Sequence, residues 1–71
     1  MNMTVDTRQT AYYRKLRVGD VIVEDDGKWL VTREPEVYPN WDVRVYLRPV
    51  PRNGKRSRAY VYGPFDRVKL A

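Results

Sequence analysis

The chain has 71 residues, with 14 Lys plus Arg against 9 Asp plus Glu, and neither His nor Cys. A chain this short is one small domain that hides only about 60% of its unfolded surface, so a partner or self-association is a natural source of extra stability. Without imidazole or thiol there is no ligand set for zinc, iron-sulfur or haem, no disulfide framework and no imidazole base, so the expectation is a protein that is not an enzyme and uses no metal or cofactor.

The polar start, residues 1–10, lacks the apolar content to order itself and reads as a flexible segment, with a single β-barrel domain expected over 11–71. A helix over residues 6–15 competes with extended structure, which Tyr12 and Tyr13 favour equally. From there turn signals recur at short intervals: Val18-Gly19-Asp20, Asp25-Asp26-Gly27, Pro39-Asn40, Pro51-Arg52-Asn53-Gly54 and Gly63-Pro64. The runs between them are rich in Val, Ile, Tyr and Trp, which indicates an all-β protein.

Five strands are read, over residues 20–24, 28–37, 41–50, 55–62 and 67–70. Strands of this number and length predict a small five-stranded antiparallel barrel, closed or nearly so, because closure removes exposed edges. Gly63-Pro64-Phe65-Asp66 suits a short helical turn before the last strand, with Phe65 plugging one end. Asp25-Asp26-Gly27 reads as turn chemistry rather than an acid-base or Mg²⁺-binding pair, and Asp20 as an acceptor for backbone N–H groups in the bend that opens the barrel. Short apolar runs such as Val21 to Val23 and Trp29 to Val31 fall far below a bilayer span, and the first twenty residues lack a signal-peptide apolar region, so a cytoplasmic protein is expected.

Charge is distributed unevenly. Residues 1–42 hold six basic and eight acidic side chains, a net of −2, whereas residues 43–71 hold eight basic and one acidic, a net of +7. Between Val43 and Gly63 stand Arg44, Arg48, Arg52, Lys55, Arg56 and Arg58, with no acid among them, which points to an anionic partner.

Strand alternation sharpens this. In the third strand Trp41, Val43, Val45 and Leu47 share one face, taken as core, while Asp42, Arg44, Tyr46 and Arg48 share the other. In the fourth strand Arg56, Arg58, Tyr60 and Tyr62 share a face. A three-residue loop Arg52-Asn53-Gly54, with Gly54 left-handed in a G1 bulge, sets Pro51 opposite Lys55 and keeps the faces consistent. That register places Arg44 opposite Tyr62, Tyr46 opposite Tyr60 and Arg48 opposite Arg58, an arginine and tyrosine surface open to solvent. Arginines that neutralise phosphates beside tyrosines that stack bases are what single-stranded nucleic acid requires. The basic loop of residues 51–58 also suits a ribbon tip reaching into a groove. Trp29, Leu30 and Val31 cover both faces of the second strand, so Trp29 is either core or an interface residue.

The stretch Leu16-Arg17-Val18-Gly19-Asp20-Val21-Ile22-Val23, then Asp26-Gly27-Lys28-Trp29-Leu30-Val31, the long third strand, an Asn-Gly turn and a closing Val68-Lys69-Leu70 resemble the small barrels of Src-homology-3-like fold found in many bacterial and bacteriophage proteins. The resemblance spans residues 16–70. It implies the barrel but not one function, because such barrels serve as nucleic-acid binders, peptide-binding modules and phage assembly parts. The basic outer surface counts against recognition of proline-rich peptides.

The reading that follows is a nucleic-acid-binding barrel, for DNA or RNA, using Arg44, Tyr46, Arg48, Arg52, Lys55, Arg56, Arg58, Tyr60 and Tyr62, with no membrane or small-molecule substrate. The alternative is a protein-interaction or assembly module, such as a phage accessory protein that binds a host factor or self-associates through the strand bearing Trp29 and Val31.

Overall fold

A computed structural model describes residues 9–51 and 54–71. Seven strands follow one another: β1 (Thr10–Tyr12), β2 (Val21–Glu24), β3 (Gly27–Val31), β4 (Glu36–Val37), β5 (Val43–Val50), β6 (Arg58–Tyr62) and β7 (Arg67–Leu70), with one 3-10 turn, Tyr13–Lys15, after β1. They form a single curled antiparallel sheet, a half-barrel in the order β1-β7-β2-β3-β5-β4, with β6 also paired to β5. Val43 pairs with Val37 of β4 and with Tyr62 of β6, so β3 and β4 run along one edge of β5 and β6 along the other. The all-β expectation holds.

The count of seven strands instead of five has two causes. The strand expected over 28–37 breaks at Thr32 to Pro35: Val31 faces Leu47 but Glu36 faces Arg44, so five steps along one strand match three along the other. Pro35, which has no N–H to give a ladder, closes this two-residue bulge. Residues 10–12 pair with β7, Ala11 facing Val68, and the following three residues form the 3-10 turn, so Tyr12 is extended and Tyr13 helical. The flexible segment assigned to residues 1–10 lies outside the described residues as far as Arg8; Thr10 is already sheet.

Alternation along β5 sends Val43, Val45, Leu47 and Pro49 inward. They meet Ile22, Trp29, Val31 and Val68, with Ala11, Tyr13 and Leu16 from the first strand and its 3-10 turn completing the core. Trp29 is 3% exposed and Val31 fully buried, so both side chains named for the alternative interface fill the interior. Among the described residues no helix is long and apolar enough to cross a membrane.

The turns behave as their residues dictate, with one exception. Asp20 accepts the Arg17 N–H at 2.9 Å, and its carbonyl accepts from Val31. Glu24 pairs with Gly27 across the two-residue Asp25-Asp26 loop, and Gly27 takes φ +126°, which a side chain would resist. Residues 63–66 form a turn closed by Asp66 N–H on the Gly63 carbonyl and Gly63 N–H on the Asp66 carboxylate, not a helical turn, and Phe65 is 77% exposed instead of plugging the barrel.

The exception is Trp41. It is 66% exposed, not core, because β5 begins only at Val43 and Trp41 belongs to the preceding turn. There Trp41 N–H donates to the Tyr38 carbonyl and Tyr38 N–H to the Asp42 carbonyl, each at 2.8 Å, while Asn40 and Asp42 bond side chain to backbone and to each other. Face parity has no meaning outside a strand.

Candidate nucleic-acid interface

The nine side chains expected on one surface are divided by the register. Val43 faces Tyr62, Val45 faces Tyr60 and Leu47 faces Arg58, while Arg44 and Tyr46 face Val61 and Ala59. This is one residue out of step with the expected pairing, and a single step exchanges the faces. Arg58, Tyr60 and Tyr62 therefore lie on the concave side with the core residues of β5, and Arg44, Tyr46 and Arg48 lie on the convex side.

The cause lies in β5 itself. Tyr46 turns its carbonyl to Thr32 N–H on the β3 side, so alternation turns Leu47 and Pro49 toward β6. Pro49 offers no N–H there, and the ladder stops at Leu47 and Arg58. The connection is a long excursion rather than a tight hairpin, and β5 meanwhile pairs with β3 through Val50. Loop length thus loses control of the register, and side-chain burial takes it over. Gly54 does adopt the expected left-handed conformation at φ +75°, whereas Arg52 lies outside the described residues.

On the concave side the expected ligands are engaged by the protein. The Tyr13 and Tyr62 hydroxyls both donate to Oε2 of Glu24, at 2.6 and 2.7 Å, and Arg58 donates to its other oxygen. Arg58 also donates to Asp26 at 2.8 Å and lies over the Trp29 ring at 3.8 Å, while the Trp29 indole N–H donates to the second Asp26 oxygen at 2.9 Å. Lys55 donates to the Asp26 carbonyl. The acidic turn is therefore an anchor for β6 and for Trp29. Hydrogen bonds from Trp29 and then Arg58 hold the Asp26 carboxyl below its ordinary range. Burial, followed by the hydrogen bond to Glu24, raises the phenol pKa of both Tyr13 and Tyr62 far above the usual value. Tyr62 and Arg58 are consequently spent on folding, and of this trio only Tyr60 is widely exposed.

The convex side keeps open cations. Arg33 lies over the Tyr46 ring at 4.4 Å, and the Tyr46 hydroxyl donates to Glu36, so Tyr46 is a covered support rather than a bare platform. The Nε atoms of Arg44 and Arg48, like that of Arg58 on the concave side, are covered and find no acceptor in the protein. Lys55 and Arg56 stand exposed before β6. Among the described residues both ion pairs belong to Arg58.

Sequence reading passes over Glu24, whose glutamate gives no sign of its three donors, and over the cations in and just after the 3-10 turn and in β7: Arg14, Lys15, Arg17 and Arg67. No family model matches the chain, and no characterised protein or solved structure matches it either.

Proposed function

We propose that this chain is a non-enzymatic module on a small Src-homology-3-like barrel that binds nucleic acid, DNA or RNA, through the phosphate backbone. The observation that carries the reading is the state of its cations. The formal charge is +5, yet among the described residues Arg58 alone meets a carboxylate at ion-pair distance. A surface of unneutralised Lys and Arg attracts a polyanion and releases its counterions. Arg44 and Arg48, half-buried on the convex side and without a carboxylate at ion-pair distance among the described residues, are the first phosphate ligands there, and the exposed Arg56 adds charge before β6.

The test is binding of DNA and RNA oligonucleotides at graded salt. Affinity should fall linearly on a log-log scale as salt rises, and Arg44→Glu with Arg48→Glu should weaken it without changing the circular dichroism of the fold. Wild-type protein that retards neither DNA nor RNA at low salt overturns the reading.

A further inference from the structure

Two large apolar side chains are placed on the surface, and neither serves the core. Phe65 is 77% exposed and Trp41 66%. Trp41 is held there against its backbone preference, at φ +73° in the turn position that commonly goes to Gly. Strain retained at an exposed aromatic is a reason to look for a ligand.

The two rings share a site. Val43 and Tyr62 are the last pair of the β5–β6 ladder, so the turns that carry Trp41 and Phe65 emerge at the same end. Both rings line a cleft of about 350 Å³ with Pro64, Asn40 and Arg14. Arg14 also lines an adjoining cleft with Lys15, Arg17 and Glu34, and Lys15 and Arg17 line a third that contains Tyr12 and Arg67. The three clefts are neighbours that share these cations, aromatic at one end and cationic along the rest, with Glu34 the only acid among their lining residues.

Two of these cations are held in place. Arg14 and Arg67 lie over the Tyr12 ring at 5.0 and 4.9 Å, Arg67 donates to the Thr10 hydroxyl, and Arg14 donates to the Pro64 carbonyl beside Phe65. None of Arg14, Lys15, Arg17 and Arg67 has a carboxylate partner among the described residues.

Resting on the nucleic-acid reading above, we infer that these neighbouring clefts are a binding site for single-stranded nucleic acid. One base stacks in the Trp41–Phe65 cleft, and the adjoining phosphates follow Arg14, Lys15, Arg17 and Arg67. An unpaired strand is required because a duplex keeps its base faces stacked within itself, whereas aromatic rings and cations in succession match a chain of bases and phosphates.

Trp29 is buried, so the emission of Trp41 reports directly on the cleft. A short oligothymidylate should quench that emission. By anisotropy of a labelled strand, Trp41→Ala and Phe65→Ala should each weaken binding about tenfold, and Trp41→Phe should restore most of it. Arg14→Ala and Lys15→Ala should each reduce the salt slope by about 0.7. Binding that is unchanged in the Trp41→Ala, Phe65→Ala double variant but lost on Arg44→Glu with Arg48→Glu overturns the inference and leaves the convex-face reading standing. Quenching by an acidic peptide and not by the oligonucleotide also overturns it, in favour of a protein partner. Wild-type protein that holds neither single strand nor duplex at low salt overturns the nucleic-acid reading itself.

Discussion

The rings of Tyr13 and Tyr62 stack at 3.5 Å between centroids, 5° from parallel, and both hydroxyls donate to the same Glu24 oxygen. Tyr13 follows β1 and Tyr62 ends β6, the two extremes of the curled sheet. Among the described residues no strand pairing joins β1 or β7 to β6, so the mouth of the half-barrel is drawn together by side chains around one carboxylate.

Loss of that carboxylate leaves the donors competing for a neutral acceptor. Glu24→Gln is expected to cost about 1–3 kcal/mol, measured by urea denaturation. Tyr13→Phe and Tyr62→Phe should be less than additive with it in a double-mutant cycle, and simple additivity would mean that the three groups do not act as one unit.

Alkaline pH should reach the same latch. The folded protein holds the Tyr13 and Tyr62 protons more tightly than the unfolded chain, so their stabilising contribution is whole below about pH 10 and declines as pH climbs above it through the raised folded values. Phenolate absorbance should show a portion that appears only as the protein unfolds. That portion should vanish in the Tyr13→Phe, Tyr62→Phe double variant.

Charge reversal should separate the two faces of the sheet. Arg58→Glu places a third negative charge against Glu24 and Asp26 and strips the cation from the Trp29 ring. The expected loss is roughly 2–3 kcal/mol, less than for a fully buried pair because 32% of the Arg58 side chain is open to solvent. Arg48→Glu on the convex side should leave the melting temperature nearly unchanged. Equal destabilisation by both would contradict the division of roles.

The two tryptophans should respond oppositely to truncation. Trp29→Ala removes a buried indole and is expected to cost about 3–5 kcal/mol. Trp41→Gly relieves a left-handed backbone and exposes nothing that was buried, so stability should hold or rise by up to about 1 kcal/mol. Chemical denaturation of both variants decides, and a large loss at Trp41 would show that its ring supports the fold.

Much of this architecture was legible in the residues. Val43, Val45 and Leu47 are core because strand alternation admits no other arrangement once Arg44, Tyr46 and Arg48 must avoid the interior, and Asp20 and Gly27 act in their bends as turn chemistry requires. The surface was misread through one step of register. Arg52-Asn53-Gly54 reads as a three-residue hairpin loop, but Pro49 removes a donor that such a hairpin needs, a restraint visible only once β5 is known to turn that residue toward β6. Parity extended two residues beyond the strand puts Trp41 in the core, although Pro39-Asn40 marks a turn whose following residue goes left-handed. Glu24 could not have been found at all, since its partners come from β6 and from the turn after β1.

Pro49 does more than end a ladder. A half-barrel keeps free edges that a closed barrel lacks, and the stretch of β5 beyond Leu47 is one of them. With no N–H at Pro49, that edge lacks the donor with which to template a strand from another molecule. The protein can therefore keep an open sheet without inviting edge-to-edge growth into aggregates, and replacing this proline would remove that protection.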